Sequence, residues 1–181
     1  GQTLDQARRM AAHLQSQGFG PGSHIAILSK NCAHFFMAEL AIWLAGGTTV
    51  AIFPTENADT IRFVLEHSDA KLLFVGKLDA WEQQKAGVPD DLPCIAFPLA
   101  PPTGFKQWDD LVTRTEPLDG KPTRLADDVA MIIYTSGSTG KPKGAMLSYR
   151  NMAAMAPGVI ERLGLRPDTS HLSYLPLCHV A

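Results

Sequence analysis

Apolar runs of four to six residues recur along this chain and alternate little between apolar and polar positions. They occupy residues 24–29, 48–53, 71–76, 94–97 and 129–134. A strand that is apolar towards both sides must be covered on both sides. Stretches with helical character lie between most of the runs. The pattern therefore predicts an α/β fold, a mainly parallel sheet flanked by helices. Ligands in such sheets bind beyond the carboxyl ends of the strands. The chain has 181 residues, 45% of them apolar and 19% charged, enough for one domain with a real core.

The helices announce themselves by spacing and by their ends. Leu4, Ala7, Met10, Ala11 and Leu14 repeat at helical intervals. Thr3-Leu-Asp-Gln6 has the form of a capping box ahead of them, and Gly18 is placed to stop the helix. Asn31 is expected to cap a second helix that runs to about residue 45, where Gly46-Gly47 closes it. A third is expected over 58–67 with Ile61, Val64 and Leu65 facing inward. One helical turn is expected at 109–112 and a polar surface connection over 113–128. Further on, the pattern predicts a short strand at 145–147 and a helix capped by Ser148. That helix reaches about residue 163, with a kink at Pro157. A last strand is expected over 170–175.

The run at 129–134 opens into Tyr134-Thr-Ser-Gly-Ser-Thr-Gly-Lys-Pro-Lys-Gly144. These eleven positions hold four small hydroxyl residues, three glycines and two lysines. Glycines let backbone N–H groups approach a ligand, hydroxyls donate, and ammonium groups offset negative charge, so the loop suits polyphosphate. A Walker loop is excluded, because Pro142 follows Gly140-Lys141 where Ser or Thr is required. The dinucleotide fingerprint and the nucleophile elbow also fail. Ser138-Thr-Gly-Lys141 matches Ser-x-x-Lys, but that chemistry needs a rigid helix, which Gly140 and Pro142 oppose. Taken singly, the hydroxyls could simply hold a turn through bonds to the backbone. Following a buried strand, the set points to phosphate binding.

The stretch from Tyr134 to Gly144 resembles the signature phosphate loop of the adenylate-forming, AMP-binding enzymes. Leu172-Ser-Tyr-Leu-Pro-Leu-Cys-His-Val-Ala181 is similar to a segment that lines the acyl pocket in that superfamily. Gly20-Pro-Gly-Ser-His-Ile-Ala-Ile-Leu-Ser-Lys-Asn31 and Leu40-Ala-Ile-Trp-Leu-Ala-Gly46 agree as well. The wording of these segments most resembles long-chain fatty acid–CoA ligases. The resemblance covers nearly the whole chain, with 85–125 the least distinctive part.

The resemblance implies that a carboxylate attacks the α-phosphorus of ATP, pyrophosphate leaves, and coenzyme A then takes the acyl group. It implies that Thr135, Ser136, Gly137, Ser138, Thr139, Gly140, Lys141 and Lys143 bind the nucleotide. Lys143 and Thr139 would act in catalysis, and Thr139 would offer its hydroxyl to Mg²⁺. His179 would approach the substrate carboxylate, with Tyr174 and Leu177 supporting the pocket. It further implies that residues 1–181 are the N-terminal portion of the large domain of such an enzyme. The remainder of that domain and a C-terminal lid domain would lie elsewhere, so this portion alone is expected to be inactive. Competing readings are an amino-acid or aryl-acid adenylating enzyme, a non-catalytic nucleotide-binding module and, more distantly, a phosphotransferase.

A net charge of −2 gives no argument for nucleic acid. Cys32, Cys94 and Cys178 lie far apart, without metal-ligand or disulfide spacing, as in a reducing compartment. The start of the chain does not read as a signal peptide. The greasiest window, 35–47, contains Glu39 and is too short to cross a membrane. A cytoplasmic protein is expected, with peripheral membrane contact left open.

Overall fold

The computed structural model describes residues 1–120, 124–135, 142–170 and 175–178. Seven strands form one sheet: β1 (His24–Leu28), β2 (Thr48–Ile52), β3 (Ala70–Val75), β4 (Cys94–Ala96), β5 (Lys106–Gln107), β6 (Val129–Thr135) and β7 (Lys143–Ser148). Their spatial order is β5-β4-β3-β1-β2-β6-β7. Every pairing is parallel except that of β6 with β7. The expected α/β fold with a mainly parallel sheet is the fold observed.

The interleaved elements are α1 (Gln2–Ser16), α2 (Ala33–Ala45), α3 (Ala58–His67), α4 (Trp81–Gln84), α5 (Trp108–Arg114) and α6 (Tyr149–Leu163). Side chains of β1 divide strictly between the two sheet faces. Ile25 and Ile27 join α1, α2 and α5 in one core, whereas Ala26 and Leu28 join α3 and Trp81 of α4 in the other. In β6, Met131 and Ile133 belong to the first core, and Ile132 and Tyr134 to the second. Covering both faces is what makes the runs apolar throughout.

Helix α3 has the expected span and buries Ile61, Val64 and Leu65. Helix α1 ends where Gly18 enters the left-handed region at φ 84°. The Phe19 amide there reaches Leu14 O at 3.0 Å and the Gly18 amide reaches Gln15 O at 3.0 Å, the Schellman pattern. At the other end the capping box does not form. Helix α1 starts at Gln2 behind Gly1, with no side-chain cap. Gln6 instead accepts a 3.2 Å hydrogen bond from the indole N–H of Trp108. Trp108 is fully buried, and a buried indole needs an acceptor more than an exposed helix end needs a cap.

Asn31 likewise does not cap α2, whose N-cap is Cys32 with no side-chain bond. Helix α5 is longer than the single turn expected, and β7 is longer than 145–147. Three short elements were not legible, α4, the 3-10 turn Lys85–Gly87 and β5. Ser148 caps α6 as expected, in a reciprocal capping box with Asn151, and Pro157 lies inside that helix. The strand expected over 170–175 falls largely outside the described residues.

Candidate functional site

Four parallel neighbours, β3, β1, β2 and β6, end side by side at Val75, Leu28, Ile52 and Thr135. This carboxyl edge is braced by close backbone approaches. The Lys77 amide donates to Ser29 Oγ at 3.0 Å, and the Lys30 amide to Lys77 O at 2.9 Å. Gly76 is required there: a Cβ would stand 2.2 Å from Ser29 Oγ and 2.6 Å from Phe97. The exit of β2 is held by Gln84, which is buried and donates to Pro54 O and Glu56 O, both at 2.9 Å.

At this edge β6 and β7 form a hairpin in which Thr135 pairs with Lys143. Both residues are exposed at the mouth of the hairpin. Six sequence-predicted residues that join them, Ser136, Gly137, Ser138, Thr139, Gly140 and Lys141, lie outside the described residues. His179 and Tyr174 also lie outside them. What the geometry supplies is the stem: β6, parallel to β2, then the antiparallel edge strand β7, which makes a tight contact. A Cβ on Gly144 would lie 3.0 Å from Ile132 Cγ2 and 3.3 Å from Tyr134 Cζ.

The second sequence motif reaches the same edge. Asn31, just past β1, donates from Nδ2 to Leu175 O at 2.7 Å and accepts from the Leu177 amide at 2.9 Å. This bidentate clasp explains why Asn31 leaves the helix end. Cys178 is buried against the first core. Burial pushes its thiol up to about 11, and the charge of Glu56 beyond β2 adds to the rise. Cys94 is pushed up to about 12 by burial. Both thiols are therefore held in the unreactive form. The clasp brings the segment that precedes His179 to the edge from which the 135–143 hairpin projects.

An open groove of about 400 Å³ runs between α6 and the sheet, lined by Met131, Ile133, Leu147, Met155, Val159 and Leu177 among others. Among the described residues, Glu39 of α2 is the one charged residue lining it. Its Oε1 is buried without a hydrogen-bond partner among the described residues, and desolvation raises the carboxyl to about 7. In the sequence Glu39 stood out only as a charge inside an apolar window. Nearby, Tyr149 packs edge-on to Trp43 with Arg124 over its ring.

A magnesium ion takes oxygen ligands, usually including a carboxylate. The 135–144 segment offers hydroxyls and no carboxylate, so it fits as the source of one ligand. Among the described residues no group of three His, Cys, Asp or Glu is placed to hold a metal, and no helix is long and apolar enough to cross a membrane.

Comparison with known proteins places the chain. The family model for AMP-binding enzymes matches residues 1–181. The long-chain-fatty-acid–CoA ligase ACSBG2 of Homo sapiens is 30% identical over 99% of this chain and 29% of its own length. Tyrocidine synthase 2 of Brevibacillus parabrevis is 32% identical over 91% of this chain and 4% of its own length. Among solved structures, a candidate long-chain-fatty-acid CoA ligase from Rhodopseudomonas palustris superposes with a TM-score of 0.81 at 27% identity. That match covers 98% of this chain and 44% of the other. The O-succinylbenzoate coenzyme A synthetase of Bacillus subtilis, solved with AMP, has the same fold. Its TM-score is 0.73 at 24% identity, over 98% of this chain and 43% of the other. The chain thus spans less than a third of the human fatty-acid ligase it matches. The sheet, the hairpin at its carboxyl edge and the full-length family match together make this chain a member of the AMP-binding, adenylate-forming enzyme family.

Proposed function

We propose that residues 1–181 form the N-terminal portion of the large domain of an ATP-dependent fatty acid–CoA ligase. The remainder of that domain and a lid domain would complete the enzyme. The observation that carries this reading is the donor-rich segment between β6 and β7, set at the carboxyl edge of a parallel sheet in an AMP-binding family member.

The substrate carboxylate is itself the nucleophile, so no protein nucleophile is needed. Catalysis then consists of positioning and charge stabilisation. Ser136, Ser138 and Thr139 would donate from hydroxyls, with Thr135 at the strand end. Gly137 and Gly140 would let the backbone approach phosphate oxygens. Lys141 and Lys143 would offset the charge of the triphosphate. Thr139 would give one oxygen to Mg²⁺, which supplies charge neutralisation of the departing pyrophosphate when bound. His179 would orient the acid. Coenzyme A would then accept the acyl group. The unreactive Cys94 and Cys178 fit a thiol acceptor that comes from outside the chain. Free, widely spaced cysteines support a cytoplasmic setting.

The similarity to tyrocidine synthase 2 keeps an amino-acid-activating reading alongside. The test is product analysis on the whole protein with a panel of fatty, aryl and amino acids. Fatty-acid-dependent AMP and pyrophosphate, followed by acyl-CoA, are expected. Release of ADP instead would overturn the adenylation reading. AMP formation only with amino or aryl acids would overturn the fatty-acid assignment.

A further inference from the structure

We propose that His67 is a positioning residue for the stem of the β6–β7 hairpin, and so for Lys143 at its mouth, acting through Tyr134. The inference rests on the adenylation reading and adds a residue far from the loop in sequence. His67 ends α3, and Tyr134 is the penultimate residue of β6, 67 positions later. The Tyr134 side chain turns to the α3 face of the sheet and is only 6% exposed. Its phenol oxygen lies 2.7 Å from His67 Nδ1. The rings meet edge to face, with centroids 5.8 Å apart. Phe63, one helical turn earlier, stacks on His67 at 5.2 Å and meets Tyr134 edge-on at 6.5 Å. The tyrosine is therefore held by a hydrogen bond and by two rings of one helix.

The other side of the same ring touches the return strand. Tyr134 pairs with Gly144 across the hairpin, and a Cβ on Gly144 would lie 3.3 Å from Tyr134 Cζ. The ring thus occupies the space that a side chain at 144 would need. One phenol spans both stems of the hairpin, and His67 fixes that phenol to α3. Helix α3 is itself anchored where it ends, because His24 Nδ1 at the start of β1 lies 2.6 Å from Ser68 O. The chain of contacts runs from the sheet through α3 and Tyr134 to the base of the hairpin, one pair short of its mouth.

Loss of the bond should leave the strands paired while freeing the Tyr134 ring from α3. Donors that must meet charge developing at phosphorus are sensitive to small displacements, whereas ground-state binding of ATP is less so. Core packing alone would move only stability. The test is acid-dependent ATP–pyrophosphate exchange in the whole protein, normalised to folded enzyme. H67A is expected to lower kcat about tenfold while KM for ATP changes by less than about twofold. H67N, which keeps a hydrogen-bonding atom near the position of Nδ1, is expected to recover most of that loss. Y134F, which also removes the interaction of the phenol with Ser68, should lose at least as much as H67A, and the double variant should be no worse than Y134F, because the His67–Tyr134 bond is already gone in it. If H67A folds poorly, Y134F against H67N carries the comparison. Wild-type kcat in Y134F, or losses that add in the double variant, would overturn the inference. A wild-type protein that makes no AMP with any acid would overturn the adenylation reading and this inference with it.

Discussion

Glu39 is a single residue whose environment sets a measurable property. Its Oε1 is buried with no partner among the described residues, and the groove beside it is apolar. Burial raises it from 4.5 to about 7. A raised carboxyl favours the protonated form in the folded state. Its contribution to stability is therefore full below about pH 4.5 and is lost as pH rises through about 7. The difference amounts to about 3 kcal/mol between the two limits. E39Q, which is neutral at every pH, should flatten that part of the profile. In urea denaturation it should gain on wild type by about 2–3 kcal/mol between pH 4.5 and pH 8. An unchanged difference between the two proteins across this range would show that the carboxyl is solvated. The sequence made Glu39 visible as the one charge in residues 35–47, since helical spacing is a local property. It could not show the groove, which depends on α6 arriving from more than a hundred residues away. For the same reason Thr3 and Gln6 misled: a capping pattern is local, while the demand of the Trp108 indole is tertiary.

At the scale of elements, ends were legible wherever the chain settled them locally. Gly18 and Gly46 stop their helices in left-handed conformation, and Ser148 caps α6 with Asn151 reciprocating. Asn31 is the exception, because its side chain serves a strap that returns from residues 175–177. N31A should therefore leave α2 intact and release the strap. Hydrogen exchange at the Leu177 amide should accelerate about fivefold or more, since Asn31 Oδ1 is its acceptor and each such bond contributes about 1 kcal/mol or more. Unchanged protection at Leu177, or faster exchange within α2 instead, would contradict the clasp. Helix α4, the 3-10 turn Lys85–Gly87 and β5 carry too few residues to display a period, whereas the apolar run at 94–97 made β4 legible. Of the candidate site, the stem residues Thr135 and Lys143 are described and the loop between them is not.

The whole molecule was legible as a class and not as an order. Unbroken apolar strands between helices required a parallel sheet with two covered faces. Nothing local, however, told β3 to cross β1 or β6 to return beside β2. The same view exposes an unpaired surface. Helix α6 buries no residue, and Met155, Val159, Ile160 and Leu163 are all about half exposed or more. A contiguous apolar stripe of this kind favours association. The 181-residue chain should elute at a larger apparent mass at high concentration than at low, and V159D/L163D should abolish the shift. A concentration-independent monomer would show that the stripe is tolerated by solvent.

The proposed function requires that the hydroxyls and lysines of residues 135–143 grip the triphosphate while an acid displaces pyrophosphate. In the whole protein T139A and K143A should each lower fatty-acid-dependent ATP–pyrophosphate exchange about a hundredfold or more. Binding of the acid, measured directly by calorimetry, should change less than about threefold. Exchange at the wild-type rate in both variants would contradict the account.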